Sequence, residues 1–223
     1  MHRRLLPVKA VNHGRKASLF LPMIHFVGTS HVSTDSIEKI DEAFEQHEPD
    51  VVCLELDMGR LNSLLADDKS LQSYSMMHGL LARFQRYIGE KTGMMPGEEM
   101  LYAYERAKRE DLEIYLIDRD LRITLSRIGD VSRKEKAKAF AMIPFSLMGG
   151  RFDYTSIPDP EEIEKISEIF REKFPQLHQV LLEERDIYMA DSLKAVREEH
   201  QDESIVAVVG AAHRKGLEDR LKN

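Results

Sequence analysis

At 223 residues, with 39 acidic against 32 basic side chains and a formal net charge of −7, the chain lacks the broad positive field that non-specific nucleic-acid binding needs. Hydrophobic residues make up 42% and charged residues 32%, too much apolar material for a disordered chain and enough for one α/β domain with an elaboration. The lone Cys53 excludes an internal disulfide, and no run approaches the ~18 apolar residues of a membrane-spanning helix.

Residues 1–22 form a basic extension: Arg3, Arg4, Lys9, Arg15 and Lys16 carry +5 with no acid, which leaves −12 on residues 23–223. Lys9, Asn12, His13, Arg15 and Lys16 interrupt any apolar run, so no secretory signal is seen, and the expected location is the cytoplasm or the cytoplasmic face of a membrane. Met23 opens the first apolar run and is an alternative start.

Four apolar runs read as buried strands: Met23–Val27, Val51–Leu56, Leu112–Ile117 and Ile205–Val209. They are near-continuous rather than alternating, which predicts a mostly parallel central sheet covered by helices on both faces. After the first run, Asp35 and Glu38 form a capping-box variant, and Ile37, Ile40 and Phe44 mark a helical face, completing a βαβ unit by the second run. Pro96 and Gly97 punctuate the middle, and Glu98 and Glu99 open a helix on which Met100, Ala103, Tyr104 and Ala107 repeat. The stretches 71–91 and 121–147 read as helical insertions, Gly149, Gly150, Pro158 and Pro160 mark a loop over about 148–160, and two further helices follow from Glu161 to His200. The chain closes with strand, loop and short helix, and residues 23–223 read as a single domain.

Each strand ends in polar residues: Thr29, Ser30 and His31; Glu55 and Asp57; Asp118 and Arg119; His213. Ligands of open α/β sheets sit outside the carboxyl ends of parallel strands, so these side chains are expected to gather in one crevice. Two segments share the spacing G-x-x-H, Gly28 to His31 and Gly210 to His213, with glycine expected to allow a sharp exit from each strand. Either histidine alone reads as a helix cap or turn filler; the pair, with Glu55, matches the histidine–carboxylate set that holds divalent ions. Glu55, between Leu54 and Leu56, needs a metal or a cationic partner when buried. Arg185 falls on the stripe of Leu182, Met189, Leu193 and Val196, so it points inward, to pair with Glu55 or Asp118 or to serve a developing oxyanion. Arg60, Asp118 and Arg119 read as ion-pairing residues at helix entries, and with Glu99 they are candidates to support the site; Asp57 reads as a helix cap and Cys53 as core. The methionines Met76, Met77, Met94, Met95 and Met100 read as adaptable packing rather than metal ligands.

The ordered segments GTSHVSTDSIEKI, EPDVVCLELDMGRLNSLL, PGEEM, LIDRDLRITLSRI, ERDIYMADSL and IVAVVGAAHRKGLEDRL, from about Met23 to Leu221, resemble the TraB family, which includes pheromone-shutdown proteins. That resemblance implies membership of the Tiki-like superfamily, with His31, Glu55, Arg185 and His213 at its shared positions. For the Tiki branch it implies metal-dependent peptidase activity with manganese or cobalt, zinc being a further candidate. Erythromycin-esterase-like and haem-binding relatives share the scaffold, so the scaffold does not fix the reaction. Prokaryotic TraB proteins often carry membrane segments after this domain. Separately, the long helical insertions offer a two-fold interface and homodimers are the commonest oligomers, so a homodimer is the expected assembly.

The leading expectation is a hydrolase acting on a peptide substrate, with His31, Glu55 and His213 as metal ligands, Glu55 also activating water and Arg185 stabilising the oxyanion. A non-catalytic module that sequesters a peptide or small ligand uses the same residues, and a third reading keeps the hydrolase with His31 and Glu55 as a metal-free acid–base pair.

Overall fold

A computed structural model of the chain describes residues 23–29, 34–66, 97–148 and 160–222. The basic extension, Ser30, His31, Met76, Met77, Met94, Met95, the expected insertion over 71–91 and the loop residues 149–159 lie outside the described residues.

Four strands form one sheet: β1 (Ile24–Thr29), β2 (Val51–Leu54), β3 (Glu113–Leu116) and β4 (Ile205–Gly210). Their order is β1-β4-β2-β3, and every pairing is parallel. Alternation across the sheet builds two cores. Val52, Leu54, Ile114, Val206 and Val208 face one helical layer, made by Ile40 and Phe44 of α1 (Thr34–His47), Leu61 of α2 (Met58–Leu65), and Met100, Ala103, Tyr104 and Ala107 of α3 (Glu98–Arg109). Val51, Cys53, Tyr115, Ala207 and Val209 face the other, made by Met189, Ala190, Leu193 and Val196 of α8 (Glu184–Glu199) and Leu217 of α9 (Ala211–Leu221). Both faces are covered, which is why the strands read as unbroken apolar runs. Cys53 is fully buried among these side chains, and burial alone pushes its thiol well above the usual range, as expected for a core residue.

The stretch 121–147 folds as two helices, α4 (Leu121–Asp130) and α5 (Arg133–Met148). After α6 (Pro160–Lys173), Pro175 opens the one-turn α7 (Pro175–His178); a π-helical turn over Gln179–Glu183 then leads without a break into α8. The second helix expected before His200 is thus a composite.

Three local expectations are corrected. Helix α1 begins at Thr34, so Asp35 lies inside the first turn, where its charge still favours the dipole. No loop separates β4 from α9, because Ala211 follows Gly210 directly into the helix. Neither glycine of the two G-x-x-H segments makes a left-handed exit: Gly28 lies within β1, and Gly210 has φ −59° and ψ 138°. Among the described glycines the left-handed one is Gly97, φ 101°, at the N-cap of α3, where a side chain would be strained.

Candidate functional site at the carboxyl edge of the sheet

Glu55 is the first residue past β2. The ladder still holds its backbone, since its N–H donates to the Val208 carbonyl at 3.0 Å. The side chain therefore emerges at the carboxyl edge beside β4, where it is only 2% exposed. Its Oε2 accepts the Gly210 N–H at 2.6 Å, and its Oε1 accepts from Nη2 of Arg185. Helix α8 runs against the strands, so its first turn delivers Arg185 to this edge. Nη2 also reaches Asp118 Oδ2 at 2.7 Å, and Nε reaches Asp118 Oδ1 at 3.2 Å. A further N–H on Nη1 meets the Leu181 carbonyl at 3.3 Å. Burial opposes the Arg185 charge, but the Glu55 and Asp118 carboxylates more than offset it and raise the affinity of Arg185 for its proton. Arg60 closes the ring, with Nη1 3.3 Å from the Glu55 carbonyl and 3.4 Å from Asp118 Oδ2. Its helix is started by Asp57, whose Oδ1 accepts the N–H groups of Gly59 and Arg60, as the cap reading expects.

His213, in the first turn of α9 and 3% exposed, turns Nε2 toward Glu55 Oε1 at 3.5 Å. Its Nδ1 lies 2.6 Å from Oδ1 of Asp186. Asp186 is absent from the candidates read in the sequence, yet it is buried and holds the histidine. Gly216 is absent from them too: a Cβ there would lie 2.2 Å from Asp186 Oδ2, so only glycine leaves room for that carboxylate.

The structure therefore brings Glu55, Arg185, Asp118, Arg60 and His213 into one cluster. His31 lies outside the described residues. Thr29, its neighbour in the motif, is buried, with Oγ1 donating to the Val209 carbonyl at 3.4 Å. Glu99 is fully buried in the first turn of α3, its Oε2 accepting the Gly97 N–H at 3.0 Å. Arg119 shares a backbone contact with Asp118, but its guanidinium turns away from Glu55 to Thr124 Oγ1, the Val180 carbonyl and Glu184 Oε2, at 2.9, 2.7 and 2.9 Å. It braces the composite helix against α4 rather than lining the cluster.

Glu184 also takes Arg127 at 2.7 Å, and hydrogen bonds from Arg127 and then Arg119 outweigh burial and hold its carboxyl down to about 2. A carboxyl depressed in the folded state stabilises fully above its ordinary value near 4.5 and loses that contribution as pH falls toward 2. The E184Q variant is expected to be less stable than wild type at pH 7, with the gap narrowing steadily from about pH 5 to pH 2 in urea melts; a pH-independent gap would contradict the coupling.

Among the described residues, one group of three side chains has metal-ligand character and spacing: Glu113, His200 and Glu203, with ligand atoms within 4.8 Å of one another. It sits at the opposite, amino-terminal edge of the sheet. There the Tyr115 hydroxyl lies 2.8 Å from both Glu113 Oε1 and His200 Nε2, and His200 Nδ1 lies 2.7 Å from Glu203. This network ties the α8–β4 connection to β3.

An all-parallel sheet between two helical layers defines an α/β protein, and its buried Glu–Arg–His–Asp cluster lies outside the carboxyl ends of the strands, where open α/β sheets generally bind ligands. The chain matches the TraB/PrgY/gumN family over residues 15–223 and belongs to that family. It is 36% identical over 217 residues to an uncharacterized protein of Methanocaldococcus jannaschii, covering 89% of this chain and 53% of that one. It is 27% identical over 231 residues to TraB domain-containing proteins of Bos taurus and Homo sapiens, covering 87% of this chain and 61% of each of those. The chain thus spans between half and two-thirds of the length of the curated relatives it matches and, among the described residues, no helix is long and apolar enough to cross a membrane.

Proposed function

We propose that the chain is a metal-dependent hydrolase acting on peptides, with the carboxyl-edge cluster as its active site. The supporting observation is the facing pair of His213 Nε2 and Glu55 Oε1, 3.5 Å apart, while Nδ1 of His213 is committed to Asp186. A neutral imidazole bound to a carboxylate through Nδ1 keeps its proton there and presents a lone pair on Nε2. Lone pair and carboxylate then meet at a distance longer than an ordinary N–H···O bond, a donor set that suits a shared cation. Glu55 and Asp118 are buried about the Arg185 guanidinium and Asp186 is buried behind His213, so three buried carboxylates border this position.

His213 and Glu55 would hold a divalent ion there, with His31 as the third ligand expected from the paired G-x-x-H segments. Such an ion polarises a carbonyl and makes bound water acidic. Glu55 would take a proton from the attacking water. Four of the five N–H donors of Arg185 are committed to Glu55, Asp118 and Leu181, which leaves one Nη1 hydrogen for an oxyanion. The TraB resemblance, through the Tiki branch of the wider superfamily, favours manganese or cobalt.

Elemental analysis of protein purified without chelator or affinity metal tests this reading. Near-stoichiometric metal is expected in wild type and is lost in both His31→Ala and His213→Ala. A wild type that stays metal-free after incubation with manganese, cobalt and zinc would remove the metal from the proposal. Metal-loaded protein that binds but never cleaves a peptide library would make the chain a sequestering module instead.

A further inference from the structure

We infer that Asp186 and Gly216 act as a matched pair that fixes the proton of His213 on Nδ1 and so decides that Nε2 meets Glu55 with a lone pair rather than an N–H. The inference takes His213 as the site histidine of the preceding proposal, but its central observable belongs to the metal-free protein.

Asp186 is next to Arg185 in α8, so one helical turn supplies both the cation that holds Glu55 and the carboxylate that holds His213. The carboxylate is 5% exposed, and its Oδ1 lies 2.6 Å from His213 Nδ1. An ionised carboxylate only accepts, so the proton in that contact belongs to the ring. The neutral ring then has no proton on Nε2, the atom directed at Glu55 Oε1 from 3.5 Å. Removing the carboxylate frees the ring to adopt the other tautomer, with N–H directed at Glu55, which closes the gap with a hydrogen bond and takes away the ligand lone pair.

Gly216 makes this geometry possible from the opposite side. It sits three residues after His213 on α9, in a helix interior where alanine ordinarily stabilises. Here a methyl group would overlap the Asp186 carboxylate, with Oδ2 at 2.2 Å and Cγ at 2.9 Å. These atoms belong to a short, buried side chain whose other oxygen is held by His213, so it cannot yield without leaving the ring. Arg220, 3.9 Å from Oδ2, is the cation on the outer side of the same carboxylate.

The test is ¹⁵N NMR of the His213 ring in full-length, chelator-treated protein at neutral pH, for wild type, D186N and G216A, alongside manganese titration of each. Wild type is expected to show a protonated Nδ1 and a lone-pair Nε2. Wild type with its proton on Nε2 overturns the inference without any variant. D186N, whose amide can donate to Nδ1, is expected to shift the ring toward the Nε2–H form. Its manganese affinity is expected to fall about 10–100-fold, the usual cost of losing a carboxylate behind a ligating histidine. G216A is expected to reproduce both changes while leaving Asp186 chemically intact, which a purely structural glycine would not do. Unchanged tautomers in both variants overturn the inference. Failure of wild type to bind manganese, with the tautomers as expected, overturns the metal proposal and leaves the pairing standing.

Discussion

Replacing Arg185 with methionine is expected to lower the unfolding free energy by about 3–5 kcal/mol, the usual cost of breaking a buried ion pair from one side. The guanidinium is the shared partner of Glu55 and Asp118, which are 2% and 7% exposed, and it serves both through Nη2. Its loss takes from two neighbouring buried carboxylates the guanidinium they share, while Arg60 stays 3.4 Å from Asp118. Urea denaturation at pH 7 measures the effect. Neutralising Glu55 or Asp118 in the R185M background is expected to recover part of the loss, a non-additivity characteristic of groups in one network. Arg185→Lys should fall between, because a single ammonium cannot reproduce the fork that spans two carboxylates. A loss below about 1 kcal/mol, the range of exposed pairs, would mean that water reaches the cluster freely.

If the proposed peptidase reading holds, the Glu55→Gln variant is expected to reduce peptide hydrolysis by about 10²- to 10⁴-fold, the range for removal of a positioned general base. The Gly210 N–H and the Arg185 guanidinium are among the donors that converge on this carboxylate. An amide can accept one of them through its oxygen but must turn its NH₂ toward the other, so stability is also expected to fall, by about 1–3 kcal/mol. Activity is therefore compared well below the melting transition of the variant, per folded molecule. Equal turnover by wild type and E55Q would remove Glu55 from the chemistry and return it to a purely structural role beside Arg185.

The strands were legible because a sheet covered on both faces leaves unbroken apolar runs, and Arg185 because a guanidinium stands out on an apolar helical stripe. Asp186 was not legible for the same reason: helical arithmetic places it about 100° round from Arg185, on what reads as a different face. What brings it to His213 is α9 packing against α8, a contact between segments far apart in sequence. Gly216 reads as an ordinary isolated helical glycine until the carboxylate above it is seen. The direction of Arg119 was likewise hidden. It follows Asp118 at a strand exit, where successive side chains leave on opposite sides, and its partners Val180 and Glu184 come from a helix more than sixty residues later. The described parts of the G-x-x-H segments, Gly28–Thr29 and Gly210–His213, lie at strand ends as expected, but not for the reason expected of their glycines, because Gly28 and Gly210 adopt backbone conformations open to any residue.

The π-helical turn over Gln179–Glu183 sets the phase of everything after it. Its wider i→i+5 spacing places the start of α8 at an azimuth that an uninterrupted α-helix from Pro175 would not reach. Arg119 locks that offset by capturing the Val180 carbonyl within the turn. Deleting one residue there would rotate the helix on either side by about 100° relative to the other. Met189, Leu193 and Val196 have no other place to bury, so the segment before the turn would have to absorb the rotation, together with its hold on Glu135 through the Leu177 N–H. The extra residue in the turn thus works as a gear tooth: it lets one continuous helix engage the sheet core along one side while the segment ahead of it meshes with α4 and α5 on another.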